Sequence, residues 1–415
     1  MIGPVRDAEP RKAILRRWLS VALIREIRQG VQWVGAIDWD RRLFDALIPL
    51  PKGTSYNSYI VSGSEKTALI DAVDATKADV LLGNLEALGT RKIDYIVSQH
   101  AEQDHSGTIK GLLDAYPEAK VLASGRCLEL LQEFSLATLD RVREVKDGEK
   151  ISLGDKTLQF IHAPWVHWPD TIFTYLPEEK VLFTCDFLGS HLATSDLYAT
   201  DEATVYESAK RYYAEIMMPF RQNIKRHLVR ISDLKIDVIA PSHGPLYDRP
   251  QFILDAYRDW SSDDVKNEVV IPYVSMHGAT RIMVDYLVDA LIARGVAVKR
   301  FDLTAYDSGE LAEALVDAAT VVIGTPTILA GAHPLALYAS ILANALRPKT
   351  RFASVIGSFG WGGKMVEQIA AALSGLKLKL LEPVVAKGHP KEADFRALDR
   401  LADEILAAHR EMKIA

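Results

Sequence analysis

Cysteine is almost missing from this sequence: Cys127 and Cys185 are the only two. Two thiols cannot build a disulfide scaffold, a four-cysteine iron–sulfur cluster or a zinc ribbon, so those classes drop out. Such sparing use suits a reducing compartment, and a cytoplasmic location is expected. Long apolar runs are missing as well, since no stretch approaches the roughly 20 residues that a membrane-spanning helix needs. Positive charge is not in excess: Lys and Arg total 49 against 55 Asp and Glu, a net charge of −6. Bulk electrostatics therefore offers nothing to a nucleic acid. Neither an internal repeat nor a low-complexity segment occurs.

What remains, 48% hydrophobic and 25% charged, is the composition of a globular chain. Its 415 residues exceed the roughly 250–300 at which one hydrophobic core stops growing, so two domains are expected. The first residues are basic and amphipathic over 11–19, and the apolar run 18–24 resembles a short signal core. Arg25, Glu26 and Arg28 follow at once without a small-residue cleavage site, so export is not expected and 1–28 reads as a helical extension.

Apolar alternation then predicts strands at 31–37, 57–61, 67–71, 93–98 and 121–123, with a helix over 77–88. Shorter strands follow at 158–162, 172–175 and 181–184, each closed by Pro, Gly or charged turn residues. Helical patterns near 203–220 and 221–234 lead to a strand at 238–240. Runs of strands with helices outside them point to two packed sheets covered by helices. After a helix at 251–262 the pattern resets at Asp263-Asp264 to regular βα alternation, from a strand at 269–274 to a helix at 364–373. That alternation predicts a doubly wound parallel sheet. A domain boundary is placed near residue 265, separating 29–265 from 266–415.

The densest chemistry is His100-Ala101-Glu102-Gln103-Asp104-His105, at the end of the apolar strand over 93–98. Alternate residues of an extended loop project to one side, so His100, Glu102 and Asp104 can converge, with His105 turning in from the helix start. A helix entry capped by Asp104 or Ser106 would explain one carboxylate but not this whole set. Three further candidates follow or end apolar strands: His167 in Val166-His167-Trp168-Pro169-Asp170, Asp186 after Cys185, and His243 in Pro241-Ser242-His243-Gly244-Pro245. His162 competes with His167, but its place within a strand suits packing or outer hydrogen bonding. Cys185 reads as a small buried residue and Ser242 as part of a turn.

The order H-x-E-x-D-H, HWPD, Cys-Asp and PSHGP resembles the metallo-β-lactamase-fold domain of flavodiiron proteins, and the likeness runs from about residue 30 onward. The resemblance implies an α/β chain of two domains, an αββα metallo-β-lactamase-like sandwich followed by a flavodoxin-like doubly wound sheet. It implies a pair of non-haem irons, with His100, Glu102 and His167 on one, Asp104, His105 and His243 on the other, and Asp186 bridging. Hydrolytic zinc relatives usually have histidine where Glu102 stands. A carboxylate adds negative charge and a hard oxygen donor, which favours iron over zinc. A zinc-dependent hydrolase with a flavodoxin-like appendage is the alternative reading, and a noncatalytic redox sensor or flavin-binding partner protein is another.

In the second domain, the loop Ser275-Met276-His277-Gly278-Ala279-Thr280 opens a helix. Its backbone N–H groups and the Ser275 and Thr280 hydroxyls can surround a phosphate at the positive helix end. Pro326-Thr327-Ile328-Leu329-Ala330-Gly331 and Ser358-Phe359-Gly360-Trp361-Gly362 follow two further strands at the same sheet edge, where ligands of open α/β sheets bind. The three segments resemble the FMN loops of flavodoxin-like modules. The first lacks G-x-G-x-x-G, which argues against a nicotinamide. Related flavodiiron sequences often carry tryptophan at the position of His277 and a more polar pair at Leu329-Ala330.

The resemblance implies transfer of electrons from FMN to the diiron centre, with O2 reduced to water, NO reduced to N2O, or both. It also implies a head-to-tail homodimer or a dimer of dimers. No Cys-x-x-Cys pair is present to form a fused rubredoxin module, so a separate electron donor such as rubredoxin or a flavin reductase is expected.

Overall fold

The structure, a computed structural model, describes residues 21–415. The basic stretch over 11–19 lies outside those residues. Within them, the end of the expected helical extension is instead a strand, β1 (Arg25–Arg28), antiparallel to β2 (Val31–Trp33). The chain reverses at Gly30, whose φ of 72° suits a residue without Cβ. Ile27 then faces the core while Glu26 faces solvent, and the Arg25 guanidinium lies 4.4 Å from the Trp33 ring.

Further principal strands are β3 (Tyr59–Ser62), β4 (Thr67–Ile70), β5 (Tyr95–Val97), β6 (Lys120–Ala123) and β7 (Val142–Glu144). Among the described residues they form one sheet in chain order, antiparallel from β1 to β4 and parallel from β4 to β7. A second sheet runs in chain order through β8 (Lys150–Ser152), β9 (Thr157–His162), β10 (Ile172–Leu176), β11 (Val181–Cys185) and β12 (Val238–Pro241). Side-chain alternation divides the buried residues. Tyr59, Val61, Ala68, Ile70 and Val97 join Leu158, Phe160, Ile172 and Phe183 in one core cluster between the sheets. Ile60, Leu69, Ile96 and Val121 point the other way, onto helices α1 (Ala78–Ala87), α3 (Ile109–Ala115) and α4 (Gly125–Glu133), while a short α2 (Gln103–Ser106) precedes α3. The strand expected over 31–37 breaks at Gly35, where a Cβ would sit 2.2 Å from the Tyr56 carbonyl oxygen.

The helical stretch expected over 203–220 is α5 (Glu202–Tyr212) followed by a π-helical turn (Tyr213–Met217) and a 3-10 turn (Met218–Phe220). Pro219 has no N–H to continue an α-helix. Helices α6 (Arg221–Ile231) and α7 (Pro250–Ser261) complete this region.

The second sheet system has the order β14-β13-β15-β16-β17, with β18 also on β16. These strands are β13 (Lys266–Tyr273), β14 (Ala297–Asp302), β15 (Ala318–Ile328), β16 (Phe352–Phe359), β17 (Lys379–Leu380) and β18 (Val384–Lys387), and each of these pairings is parallel. The helices are α8 (Ala279–Ile292), α9 (Ser308–Leu315), α10 (Pro334–Leu346), α11 (Met365–Ala372) and α12 (Glu392–Glu411). Two core clusters lie on opposite faces, one under α8 and α12, the other under α9, α10 and α11. Helix α12 had no counterpart among the expected elements. Leu398, Leu401 and Ile405 on one of its faces are fully buried.

Packing divides the chain differently from the order of its elements. One compact unit holds the chain up to Arg42, Leu50–Val205 and Val229–Leu254, and the other holds Leu43–Pro49, Tyr206–Leu228 and Asp255–Ala415. The boundary expected near 265 follows the reset in βα pattern. In three dimensions α7 already passes into the second unit after Leu254, because Tyr257 and Trp260 bury their rings beside Tyr213.

Candidate functional site

Every candidate metal-ligating loop leaves the carboxyl end of a strand in the first unit. His100 and Glu102 follow β5, and α2 carries Asp104 and His105. His167 lies beyond β9, Asp186 directly follows β11, and His243 lies just past β12. The structure brings all seven side chains together in two groups. Glu102 Oε2 lies 3.0 Å from His100 Nε2 and 3.2 Å from His167 Nε2. Asp104 Oδ2 lies 3.1 Å from His243 Nε2, and Asp104 Oδ1 lies 3.4 Å from His105 Nε2. Asp186 faces both groups. Its Oδ2 is 3.5 Å from His167 Nε2 and 3.7 Å from His100 Nε2, whereas its Oδ1 is 3.1 Å from His105 Nε2 and 3.3 Å from His243 Nε2.

This cluster demands positive charge. Burial disfavours imidazolium at His100, but Asp170, Glu102 and Asp186 outweigh it and raise that pKa to about 10. At His167 burial is outweighed by Asp186 and Glu102, and at His243 by Asp104 and Asp186, each rising to about 9. Burial also works against ionised Glu102 and Asp186, yet their histidine neighbours hold both well below the usual carboxylate range. Protons satisfy such a set when nothing else does, and metal cations satisfy it by displacing them. One observation favours cations. Both oxygens of Asp104 and the Nε2 of His105 are sealed from water yet make no properly aligned hydrogen bond. Unmet buried polar atoms are costly, and an ion between them would remove that cost. The donor set of imidazoles and carboxylates without thiolate suits a first-row metal of borderline to hard character. Glu102 and His167 keep 12% and 14% side-chain exposure, so solvent reaches the cluster on their side.

His162 is not part of the cluster. Its Nε2 contacts the Val145 carbonyl at 3.0 Å, and its backbone binds Arg230 and Asp147. Cys185 is fully buried behind the cluster, with Sγ 3.8 Å from His105 Nδ1. Ser242 donates to Asp71 at 2.9 Å and His243 Nδ1 meets the Ser55 carbonyl at 2.7 Å, so no nucleophilic triad forms there.

The second unit contains a cavity of about 220 Å³ at the carboxyl edge of its sheet. Ser275, Met276, His277, Ala279, Thr280, Pro326, Thr327, Ser358, Phe359 and Gly360 line it, together with Gly388 and His389. The Thr280 and Ser358 hydroxyls are 3.1 Å apart, and the Ser275 hydroxyl caps α8 by accepting from the Arg281 N–H at 3.2 Å. Gly278 turns into the helix at φ 88°. Hydroxyls and backbone N–H groups at the start of a fourteen-residue helix suit a phosphate, and among the described residues no carboxylate lines the cavity to repel one. Gly278, Ile328, Leu329, Ala330, Gly331, Trp361 and Gly362, grouped with the flavin loops by sequence, are not in this lining. Leu329 and Ala330 take positive φ at the tip of a tight hairpin in which Ile328 pairs with Gly331, and both are exposed. Leu329 is 87% exposed and Trp361 76%.

A family model described as ODP family beta lactamase matches residues 54–244, and a flavodoxin model matches residues 271–398. The chain is 35% identical to a nitric oxide reductase from Moorella thermoacetica, over 92% of this chain and 98% of that protein. It is 37% identical to a type A flavoprotein from Rhodobacter capsulatus, over 94% of each. The chain belongs to the flavodiiron family. Solved structures agree: the rubredoxin oxygen:oxidoreductase from Desulfovibrio gigas matches this flavodiiron chain with a TM-score of 0.91 at 30% identity, over 95% of this chain and 100% of that one. A flavodiiron protein from Giardia intestinalis matches with a TM-score of 0.88 at 28% identity, over the same shares.

The flavodiiron chain also places around the cluster residues that sequence reasoning had not singled out. Asp71 ends β4 as the ligand loops end their strands; it accepts from the Gln99 N–H at 2.8 Å and takes φ 55°, an unusual value for a non-glycine residue. His191 lies against Thr54, with 2.9 Å between Nδ1 and Oγ1, and its ring centre is 5.1 Å from that of His243. Burial first, then His243, push its pKa well below the ordinary value, so it stays neutral. Asp170 sat inside the HWPD motif without an assigned role. It faces His100 Nδ1. Strand-end position was the available signal for Asp71; nothing local marked His191.

Proposed function

We propose that this chain reduces O2 to water, NO to N2O, or both, using FMN in its flavodoxin-like unit and a pair of irons in its β-lactamase-like unit. The carrying observation is the division of Asp186, whose two carboxylate oxygens face different sets of candidate ligands. When bound, the irons would supply redox chemistry at a diatomic gas and the flavin would store and deliver the electrons. His100, Glu102 and His167 would hold one metal and Asp104, His105 and His243 the other. Glu102, Asp104 and Asp186 offset three of the four positive charges of two ferrous ions, which makes a buried pair tolerable. A small molecule would approach at the partly exposed edge of Glu102 and His167, since the other five side chains are buried. Four protons accompany the four-electron reduction of O2, and two accompany the two-electron conversion of two NO to N2O and water.

In the second unit, Ser275, Thr280 and the first N–H groups of α8 would bind the FMN phosphate, with Phe359 offering a face to the ring. The relative from Megalodesulfovibrio gigas is named rubredoxin-oxygen oxidoreductase, which supports a separate donor such as rubredoxin; a flavin reductase is the other expected class. Assembly as a homodimer, head to tail, or as a pair of dimers belongs to the same reading and is checked by sedimentation. The deciding experiment is anaerobic stopped-flow of the reduced, iron- and FMN-loaded protein against each gas. Oxidation of the flavin over repeated turnovers with at least one gas is expected. A fully loaded sample that turns over neither gas overturns the proposal.

A further inference from the structure

Three imidazoles of the cluster, those of His243, His105 and His100, are supported from behind in different ways. His243 Nδ1 meets a backbone carbonyl, that of Ser55, at 2.7 Å. His105 Nδ1 has the Cys185 sulfur at 3.8 Å and Asp71 Oδ2 also at 3.8 Å, too far for a strong bond to the carboxylate. His100 Nδ1 meets a carboxylate squarely, with Asp170 Oδ1 at 3.1 Å and Oδ2 at 3.2 Å. That carboxylate is itself fixed. Its Oδ2 accepts from the Ala101 N–H at 2.8 Å, the Asp170 carbonyl accepts from the Ser124 hydroxyl at 2.7 Å, and the residue is buried. Asp170 therefore fastens the loop of His100 and Glu102 to its own loop, which also carries His167. The Ile172 N–H donates to the Gln99 carbonyl at 2.9 Å and ties the same two segments a second time.

A carboxylate at Nδ1 selects the tautomer with hydrogen on Nδ1 and leaves the Nε2 lone pair directed at the cluster, 3.0 Å from Glu102 Oε2. It also raises the donor strength of Nε2. From these contacts we infer that Asp170 is a positioning residue that makes the two halves of the site unequal. The half formed by His100, Glu102 and His167 holds its metal through a carboxylate-backed imidazole, and the half formed by Asp104, His105 and His243 does not. This rests on the reading of the cluster as a two-metal centre.

The test uses the iron-loaded full chain and Asp170→Asn. An amide has one acceptor oxygen for the two donors that the carboxylate serves, the Nδ1–H of His100 and the N–H of Ala101, and its NH2 opposes whichever is left. Iron release to a ferrous chelator under anaerobic conditions should then separate into two phases. One iron leaves roughly 10–100-fold faster than in the wild type, on the scale typical of losing an outer partner of a metal-binding histidine, and the other is unchanged. One of the two iron signals in the Mössbauer spectrum should shift with it. Equal acceleration of both irons, or of neither, from a wild type that carries two irons overturns this inference alone; a wild type that binds no metal pair removes the two-metal reading as well. Should the variant fail to fold, nitrogen-15 histidine spectra of the zinc-loaded wild type decide: hydrogen on Nδ1 of His100 upholds the inference, and metal on Nδ1 overturns it.

Discussion

At the scale of single residues, the proposed preference for iron turns on Glu102. It lies between His100 and His167 and adds a hard, charged oxygen where an imidazole would add a neutral nitrogen. Glu102→His should therefore move the site toward zinc. In protein loaded from an equimolar mixture of the two metals, the iron-to-zinc ratio is expected to fall, with oxygen uptake falling in step. Elemental analysis after loading measures this, and an unchanged ratio would show that the carboxylate does not select the metal.

Secondary structure elements matter here chiefly through their ends. Strands β15 and β16 pair in parallel, with Gly357 beside Thr325, and the segments just beyond that pair line the cavity proposed for the flavin. A Cβ on Gly357 would sit 1.9 Å from the Thr325 carbonyl oxygen and 3.2 Å from the end of Met365. Backbone cannot yield as a flexible side chain does. Gly357→Ala should cost about 1–3 kcal/mol of stability, as overpacking generally does, and should spread the two flavin loops apart. Equilibrium denaturation gives the first quantity and quenching of FMN fluorescence on titration gives the second. Weakened FMN binding without loss of stability would place the effect in the loops alone.

For the whole molecule, the cluster couples metal content to pH. Without metals, His100, His167 and His243 have folded-state pKa values raised to between about 9 and about 10, above the ordinary value of 6.5. Raised histidines contribute stability that is complete below about 6.5 and is lost as pH rises through their folded values. Metal-free protein should thus lose thermal stability between about pH 6.5 and pH 10, whereas metal-loaded protein, whose imidazoles carry metal instead of protons, should not. Melting curves of both forms across that range check the prediction, and the first unit should respond while the second, with its own core clusters, does not.

Most of the local grammar was legible without coordinates. Strand periodicity and the ligand run at 100–105 lie within spans of a few residues, so composition and spacing suffice to read them. The sequence by itself also determined that two units of different βα pattern follow one another. Tertiary structure alone decided four things. It brought His167, Asp186 and His243 to the loop of His100, a meeting set by sheet order and strand register rather than by any local signal. It drew Asp170 and His191 up to the cluster, and it closed the flavin cavity with Gly388 and His389 from beyond a strand that the periodicity had not revealed. It also left Leu329 and Trp361 of the flavin motifs open to solvent. The reason is the same in each case: side-chain direction and burial depend on partners far along the chain, which local preference does not encode.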